Sequence, residues 1–299
     1  MACVDADRDR ATELAREATT RVSSWEEVLS ADDVDAVVLT LPHDLHCQFA
    51  VEAARAGKHI LVEKPMATTV AECDRMIDAA QQTNVCLFVA HVLRFQEANV
   101  LIEELINSGR LGKAFFAEYW SAQRPEFPPS RMHLADPVRG GGVILAGESH
   151  HTDLMRYWLG EVKRVRGYHL AVREVYRQLD SPEFSLVTYE FENGAVAVTS
   201  YSYATYVCPE LPLTKSVVCF ERGTVHTGSD GLVTIASDDG EVESVQTDAG
   251  KAAPQEIAHL TSAILDGAPL RVTPQDGRRA VQLCVAAEQS AHLGCDVEV

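Results

Sequence analysis

Several features are missing from this 299-residue chain, and each absence removes a class of function. No apolar run approaches the roughly 18 to 20 residues that a helical membrane span requires, so no membrane association is expected. The first residues, MACVDADRDRATEL, carry neither the basic nor the apolar stretch that directs export, and a cytoplasmic location is expected. Positive charge is short: 26 Lys and Arg stand against 44 Asp and Glu, a formal net charge of -18, with six lysines in all. A surface so acidic repels nucleic acid and anionic lipid, and neither is expected as a partner. The eight cysteines, at 3, 47, 73, 86, 208, 219, 284 and 295, show no C-x-x-C spacing. They read as small buried hydrophobes, not as a disulfide framework or a zinc site.

What is present is a regular alternation. DAVVLTLP (35–42), HILVE (59–63) and VCLFVAH (85–91) are short apolar runs of the kind found in parallel strands buried on both faces. Between them, LHCQFAVEAARAGK (45–58) and TVAECDRMIDAAQQTN (69–84) carry apolar residues at helical spacing, with sensible caps at Ala56-Gly57 and Thr68-Thr69. Strand and helix in this order predict an α/β, Rossmann-like, doubly wound parallel sheet over residues 1–95.

After Phe95 the pattern changes. A helix over NVLIEELINSGRLG, a strand at KAFFAEYWSA and two alternating strands around Asn193-Gly194 (185–203) come first. Helical patterns follow at 254–266 and 275–292. These predict an α+β domain over 96–299 with an open mixed or antiparallel sheet.

Glycine is absent from the first 56 residues, and G-x-G-x-x-G occurs nowhere. That turn ordinarily cradles the dinucleotide pyrophosphate, and an acid about 20 residues later holds the adenosine ribose. MACVDADRDRATELA reads as the second strand and its helix, with Asp5 in the ribose position. The glycine turn is therefore expected upstream of Met1, and residues 1–299 alone are expected to bind NAD(H) weakly or not at all and to show no measurable dehydrogenase activity. The competing reading makes Asp5 a helix N-cap.

Lys64 raises a separate question, because a strongly hydrated side chain ends a buried strand. It is either a solvated strand end or a group aimed at a ligand at the carboxyl edge of the sheet. The motifs TLPHDLHCQFAVEAARAGKHILVEKP, VAHVLRFQEAN and GGGVILAGESHHTDLMRYWLG, taken together, resemble the Gfo/Idh/MocA family of sugar and inositol oxidoreductases. The resemblance runs over essentially the whole chain and lacks only that family's first strand, glycine turn and first helix.

The resemblance implies an NAD(P)-dependent dehydrogenase acting on a sugar, inositol or related polyol, with NAD favoured over NADP because Asp5 repels a 2′-phosphate. It implies that Lys64 binds substrate and assists proton transfer, its pKa drawn down by burial and by a cationic nicotinamide. His150 is implied as general base, with Asp153 orienting it and His151 and Arg94 as further substrate-side residues. Asp5, Thr40, Leu41, Pro42, His43, His46, Glu63, Lys64, His91 and Arg94 are implied around the cofactor. His43 and His46 read equally well as capping and core residues, and Arg94 as an interdomain salt bridge.

No metal is expected, since adjacent histidines on a helix do not easily bind one ion. The family's usual aspartate four residues before the histidine is Ala146 here, with Glu148 two residues away. The substrate face is expected around 121–139, and a homodimer or homotetramer through the second sheet. A non-catalytic sugar or nucleotide sensor of the same fold is the alternative, and a hydrolase using its cofactor transiently is a third.

Overall fold

The computed structural model describes residues 1–123, 134–137, 139–205 and 213–299. Strand β1 (Ala2–Cys3) pairs in parallel with β2 (Arg21–Val22) around helix α1 (Arg8–Glu17). Helix α2 (Trp25–Ser30) opens on a reciprocal capping box of Ser24 and Glu27, which satisfies two of its free amides. Then β3 (Ala36–Leu39), β4 (His59–Glu63) and β5 (Leu87–Ala90) form a three-stranded parallel sheet in sequence order. Helices α3 (His43–Arg55) and α4 (Val70–Thr83) make the crossovers. β1–β2 and β3–β5 are separate sheets, with a groove between them lined by Ala2, Val4, Val28 and Val37.

The apolar runs end up where their composition requires. Ile60, Val62, Phe88 and Val89 are fully buried, each worth about 1.5–3 kcal/mol in water-to-core transfer. Parallel register places the carboxyl ends of β3, β4 and β5 along one edge, which positions Thr40, Glu63, Lys64 and His91 together.

Among the described residues the second sheet has nine strands. They are β6 (Ala114–Ala122), β7 (Val162–Leu170), β8 (Phe184–Phe191), β9 (Val196–Ser202), β10 (Thr214–Phe220), β11 (Gly223–Thr227), β12 (Leu232–Ser237), β13 (Val242–Gln246) and β14 (Val297–Glu298). Their spatial order is β13-β12-β11-β10-β6-β9-β8-β7-β14, antiparallel throughout except for the parallel β6–β9 pair. Asn193-Gly194 makes the β8–β9 turn, with the Asn193 side chain accepting from the Ala195 amide. Helices α5 (Glu97–Ser108), α6 (Gly142–Leu159) and α9 (Pro274–Leu293) contribute to the core on one side of the sheet. The short α7 (Glu174–Gln178) follows β7, and α8 (Ala252–Asp266) precedes α9.

The expected first unit, 1–95, does not hold all of its own core. Ala252 and Leu260 of α8, Val272, and Val281 of α9 pack into the apolar cluster of the parallel sheet. Leu283, Ala286 and Ala287 of the same α9 belong to the cluster under the large sheet. Gly277 permits this bridging: a Cβ there would sit 2.6 Å from Val89 Cγ2 of β5. Such long-range returns leave no mark on local periodicity.

Candidate active site

A polar cleft of about 370 Å³ lies between the tip of β4 and the inner face of the large sheet. Lys64 and His150 both line it, one delivered by the parallel sheet and the other by α6. The Lys64 ammonium donates to the Ala146 carbonyl at 2.6 Å, one turn before His150 on the same helix. That hydrogen bond ties the two halves together at the cleft. The Glu63 carboxylate accepts the Lys64 amide at 3.1 Å and so sits beside the lysine backbone.

His150 is half-buried, and its Nδ1 is buried with no hydrogen-bond partner among the described residues. Burial, and after it the nearby Lys64 charge, push its pKa well below the ordinary histidine value. It is therefore a neutral imidazole at neutral pH and able to accept a proton. Edge-on behind it, with ring centroids 6.4 Å apart, is His91, only 1% exposed.

Asp153 does not orient His150, as had been expected. Its two oxygens accept from Arg94 Nε at 2.8 Å and Nη2 at 2.6 Å, and His91 Nδ1 lies 3.7 Å away. Arg94 also donates to the Arg271 carbonyl at 2.9 Å and lies over the Tyr157 ring. Burial works against its charge, but Asp153 and Asp276 more than offset this and hold its pKa above the ordinary value. Arg94 and Asp153 are 4% and 1% exposed, do not line the cleft, and form a buried strut between the two halves. The salt-bridge reading of Arg94 is the one the geometry supports.

His151 lines the same cleft from the next position on α6. It stacks on Tyr119 at 4.5 Å, meets Tyr201 at 5.5 Å, and places Nδ1 3.5 Å from Glu148. Glu148 is fully buried and accepts from the Thr199 hydroxyl, with Tyr189 3.5 Å away. Glu148 therefore serves His151 and the sheet. It does not replace the missing carboxylate beside His150.

The loop after β3 is held by histidines. His46 is fully buried and bridges the Leu41 carbonyl at 2.9 Å and the Pro65 carbonyl at 3.0 Å, clamping the loops that follow β3 and β4. Burial lowers its pKa, so the neutral ring donates to one carbonyl at a time. His43 meets the Gly140 carbonyl at 2.8 Å. Pro42 caps α3 without a side-chain hydrogen bond, and Thr40 stays exposed at the strand edge. Asp5 is exposed in the turn after β1, where it accepts from the Asp7 amide; Asp7, not Asp5, caps α1.

Of the expected substrate face at 121–139, Ser121 and Gln123 line the cleft, while 124–133 and 138 lie outside the described residues. Sequence reading missed Tyr119, Tyr201, Tyr203 and Thr227, which line the same cleft. A signal for them exists. Inward positions of β6 and β9 run Ala117, Tyr119, Ser121 and Ala197, Thr199, Tyr201, so hydroxyls replace aliphatic groups where the sheet leaves its core. Among the described residues no cluster of His, Cys, Asp and Glu is arranged to hold a metal.

A parallel nucleotide-type sheet whose strand tips meet an open mixed sheet across a Lys–His pair defines a class of two-domain oxidoreductases. Residues 1–91 match the family model described as oxidoreductase family, NAD-binding Rossmann fold, and residues 100–226 match the GFO/IDH/MocA C-terminal domain. The chain belongs to the Gfo/Idh/MocA family.

It is 35% identical to the 1-carboxy-3-chloro-3,4-dihydroxycyclohexa-1,5-diene dehydrogenase of Comamonas testosteroni, over 62% of this chain and 47% of that protein. To the scyllo-inositol 2-dehydrogenase (NAD(+)) of Bacillus subtilis it is 26% identical, over 100% of this chain and 88% of that protein. The first relatives matched are spanned over about half their length, 42% to 54%. A solved levoglucosan dehydrogenase in complex with NADH and levoglucosan superposes with a TM-score of 0.90 at 20% identity, covering 100% of this chain and 89% of that one. At that identity the likeness is one of fold.

Proposed function

We propose that the protein is an NAD(P)-dependent oxidoreductase that moves a hydride between a nicotinamide cofactor and a hydroxyl or keto carbon of a sugar, inositol or related polyol. The observation that carries this reading is the convergence of Lys64 and His150 on one cleft, tied by the Lys64–Ala146 hydrogen bond. Oxidising a secondary alcohol requires a base for the hydroxyl proton and a donor for the oxygen. A neutral His150 supplies the first and an ammonium the second. The hydroxyl-lined far wall, with Tyr119, Ser121, Tyr201 and Thr227, suits a substrate rich in hydroxyls.

The donor set at the strand tips fits the nicotinamide end of a dinucleotide. Thr40, Leu41 and Pro42 offer loop backbone, and Glu63 offers a carboxylate to a ribose, while His43 and His46 hold that loop in place. Asp5, at the end of β1, is the candidate for the adenosine ribose and favours NAD over NADP. When bound, the nicotinamide supplies the hydride acceptor. Lys64 then holds the substrate oxygen, His150 takes its proton, and the Arg94–Asp153 pair holds the two halves together behind them.

Levoglucosan and inositol in the names of similar proteins support a polyol without identifying which one. No helix among the described residues is long and apolar enough to cross a membrane, which is in keeping with a cytoplasmic enzyme. On the large sheet, Tyr168, Leu170 and Val196 are 42% to 54% exposed, and a second copy of the chain is the proposed cover. The test is formation of reduced nicotinamide, followed by absorbance, with a panel of inositols, pyranoses and anhydrosugars. Lys64→Ala should lower turnover by roughly 10²- to 10⁴-fold. Binding of a polyol without reduction of cofactor would replace this reading with the sensor.

A further inference from the structure

A general base at His150 must keep Nε2 bare before the reaction and hold a proton there afterwards. A neutral imidazole with a bare Nε2 carries its hydrogen on Nδ1. In this protein that Nδ1 is buried without a hydrogen-bond partner among the described residues. Ala146, one turn earlier, offers only a methyl group, and Glu148 is turned to the sheet. The ring behind is His91, edge-on at 78°, and neither of its nitrogens has a hydrogen-bond partner among the described residues. Its Nδ1 faces Asp153 at 3.7 Å, which leaves Nε2 as an acceptor. Polar atoms buried in this way cost about 1–3 kcal/mol each unless they serve one another or a bridging water.

We infer that His91 is a positioning residue that fixes the tautomer of His150 and takes up the proton His150 receives, through one bridging water, while Asp153 balances the charge. This rests on the dehydrogenase reading above. In the step itself the substrate O–H bond breaks and its proton goes to His150 Nε2. The Nδ1–H bond breaks and that proton passes to His91 Nε2, and the C–H electron pair leaves as hydride to the oxidised nicotinamide, forming C=O. The positive charge then rests on His91, next to Asp153. The charged and titratable groups facing His91 are Asp153 of α6, Arg94 of the turn before α5, Asp276 of α9, Lys64 at the tip of β4, and His150. Burial keeps His91 neutral at rest, as an acceptor must be, and Asp153 favours its protonated form once the proton arrives.

Imidazole ¹⁵N NMR of the protein without cofactor reads the tautomer independently of turnover. Wild-type His150 should be the Nδ1–H form. His91→Phe removes the acceptor and should shift His150 toward Nε2–H, with kcat about 10- to 100-fold lower, KM within about twofold, and an altered acid limb of the pH profile. His91→Asn offers an oxygen to Nδ1–H but cannot carry a proton, so it should keep the tautomer and remain about tenfold slow or more. If His91→Phe loses its cooperative melt, the asparagine variant decides alone. A folded His91→Phe with unchanged tautomer and pH profile, or a folded His91→Asn with wild-type kcat, would overturn the inference. A tautomer set by His91 in a protein that oxidises no polyol would overturn the dehydrogenase reading instead and leave the positioning role standing.

Discussion

His150 and His151 are neighbours in sequence and opposites in circumstance. His150 looks across the domain junction toward Lys64, His91 and the Arg94–Asp153 strut, where charges meet charges at short range. His151 looks into the large sheet, between two tyrosine rings, over a carboxylate held by hydroxyls. Both line the cleft, but one imidazole keeps a nitrogen with no hydrogen-bond partner among the described residues, and the other is held by stacking and a carboxylate. A free, desolvated nitrogen is reactive, whereas a sandwiched one is architecture that shapes a pocket. The two positions can be set against each other directly.

The largest expected effect falls on His150. His150→Ala should lower kcat/KM for polyol oxidation by roughly 10²- to 10⁴-fold with the melting temperature nearly unchanged. His151→Ala should do the reverse, lowering the melting temperature and raising KM while leaving most of kcat. Equal kcat losses from the two variants would erase the contrast.

Next in size is the strut. Asp153→Ala leaves the Arg94 guanidinium, 4% exposed, facing an emptied site, and should cost about 3–5 kcal/mol of stability in denaturant titration. A loss below about 1 kcal/mol would mean that Asp276 and Tyr157 carry Arg94 without it.

These predictions mark what was legible in the chain. The order of β3 to β5 and their helices was readable because each of those strands is an unbroken apolar run and α4 carries its own caps at Thr69 and Asn84. The strand-end placement of Lys64 was readable from the run before it, whereas His150 was singled out by motif alone and only the fold brings it to the same cleft. The partner of Asp153 was not. Arg94 lies 59 positions away, and spacing on one helix suggested His150 instead. Nor was the return of α8 and α9 to the first core, which depends on the close approach of Gly277 to Val89. Contacts between elements far apart in sequence leave no periodic trace, whereas contacts within an element do.

The contrast also covers buried acids. Glu148 has no cation but is supplied by hydroxyls, whereas Glu256 of α8 is 5% exposed with Oε1 unpartnered. Burial, and then the Glu63 charge, push Glu256 up to about 8 from an ordinary 4.5. An acid raised in the folded state stabilises fully below its unfolded value, and that contribution is lost as pH rises through the folded value. Wild type should therefore lose stability between about pH 4.5 and 8 relative to Glu256→Gln, with the two alike at pH 4. Parallel melting curves across that range would refute the assignment.

The smallest effect tests the surroundings of His151 at their tightest point. Gly147 stands one turn before His151 and lines the same cleft. A Cβ at Gly147 would lie 2.1 Å from Tyr201 Cζ and 2.6 Å from its hydroxyl oxygen, a clash that the ring must move to relieve. Tyr201 is 6% exposed and also touches His151 and Tyr203, so its displacement would disturb the aromatic wall without reaching Lys64 or His150. Overpacking of this kind costs about 1–3 kcal/mol. Gly147→Ala should therefore melt earlier and raise KM several-fold, with the kcat pH profile of wild type preserved because the proton-handling side is untouched. A shifted pH profile in this variant would show that the aromatic wall and the proton-handling pair are coupled, and the separation drawn between His150 and His151 would have to be given up.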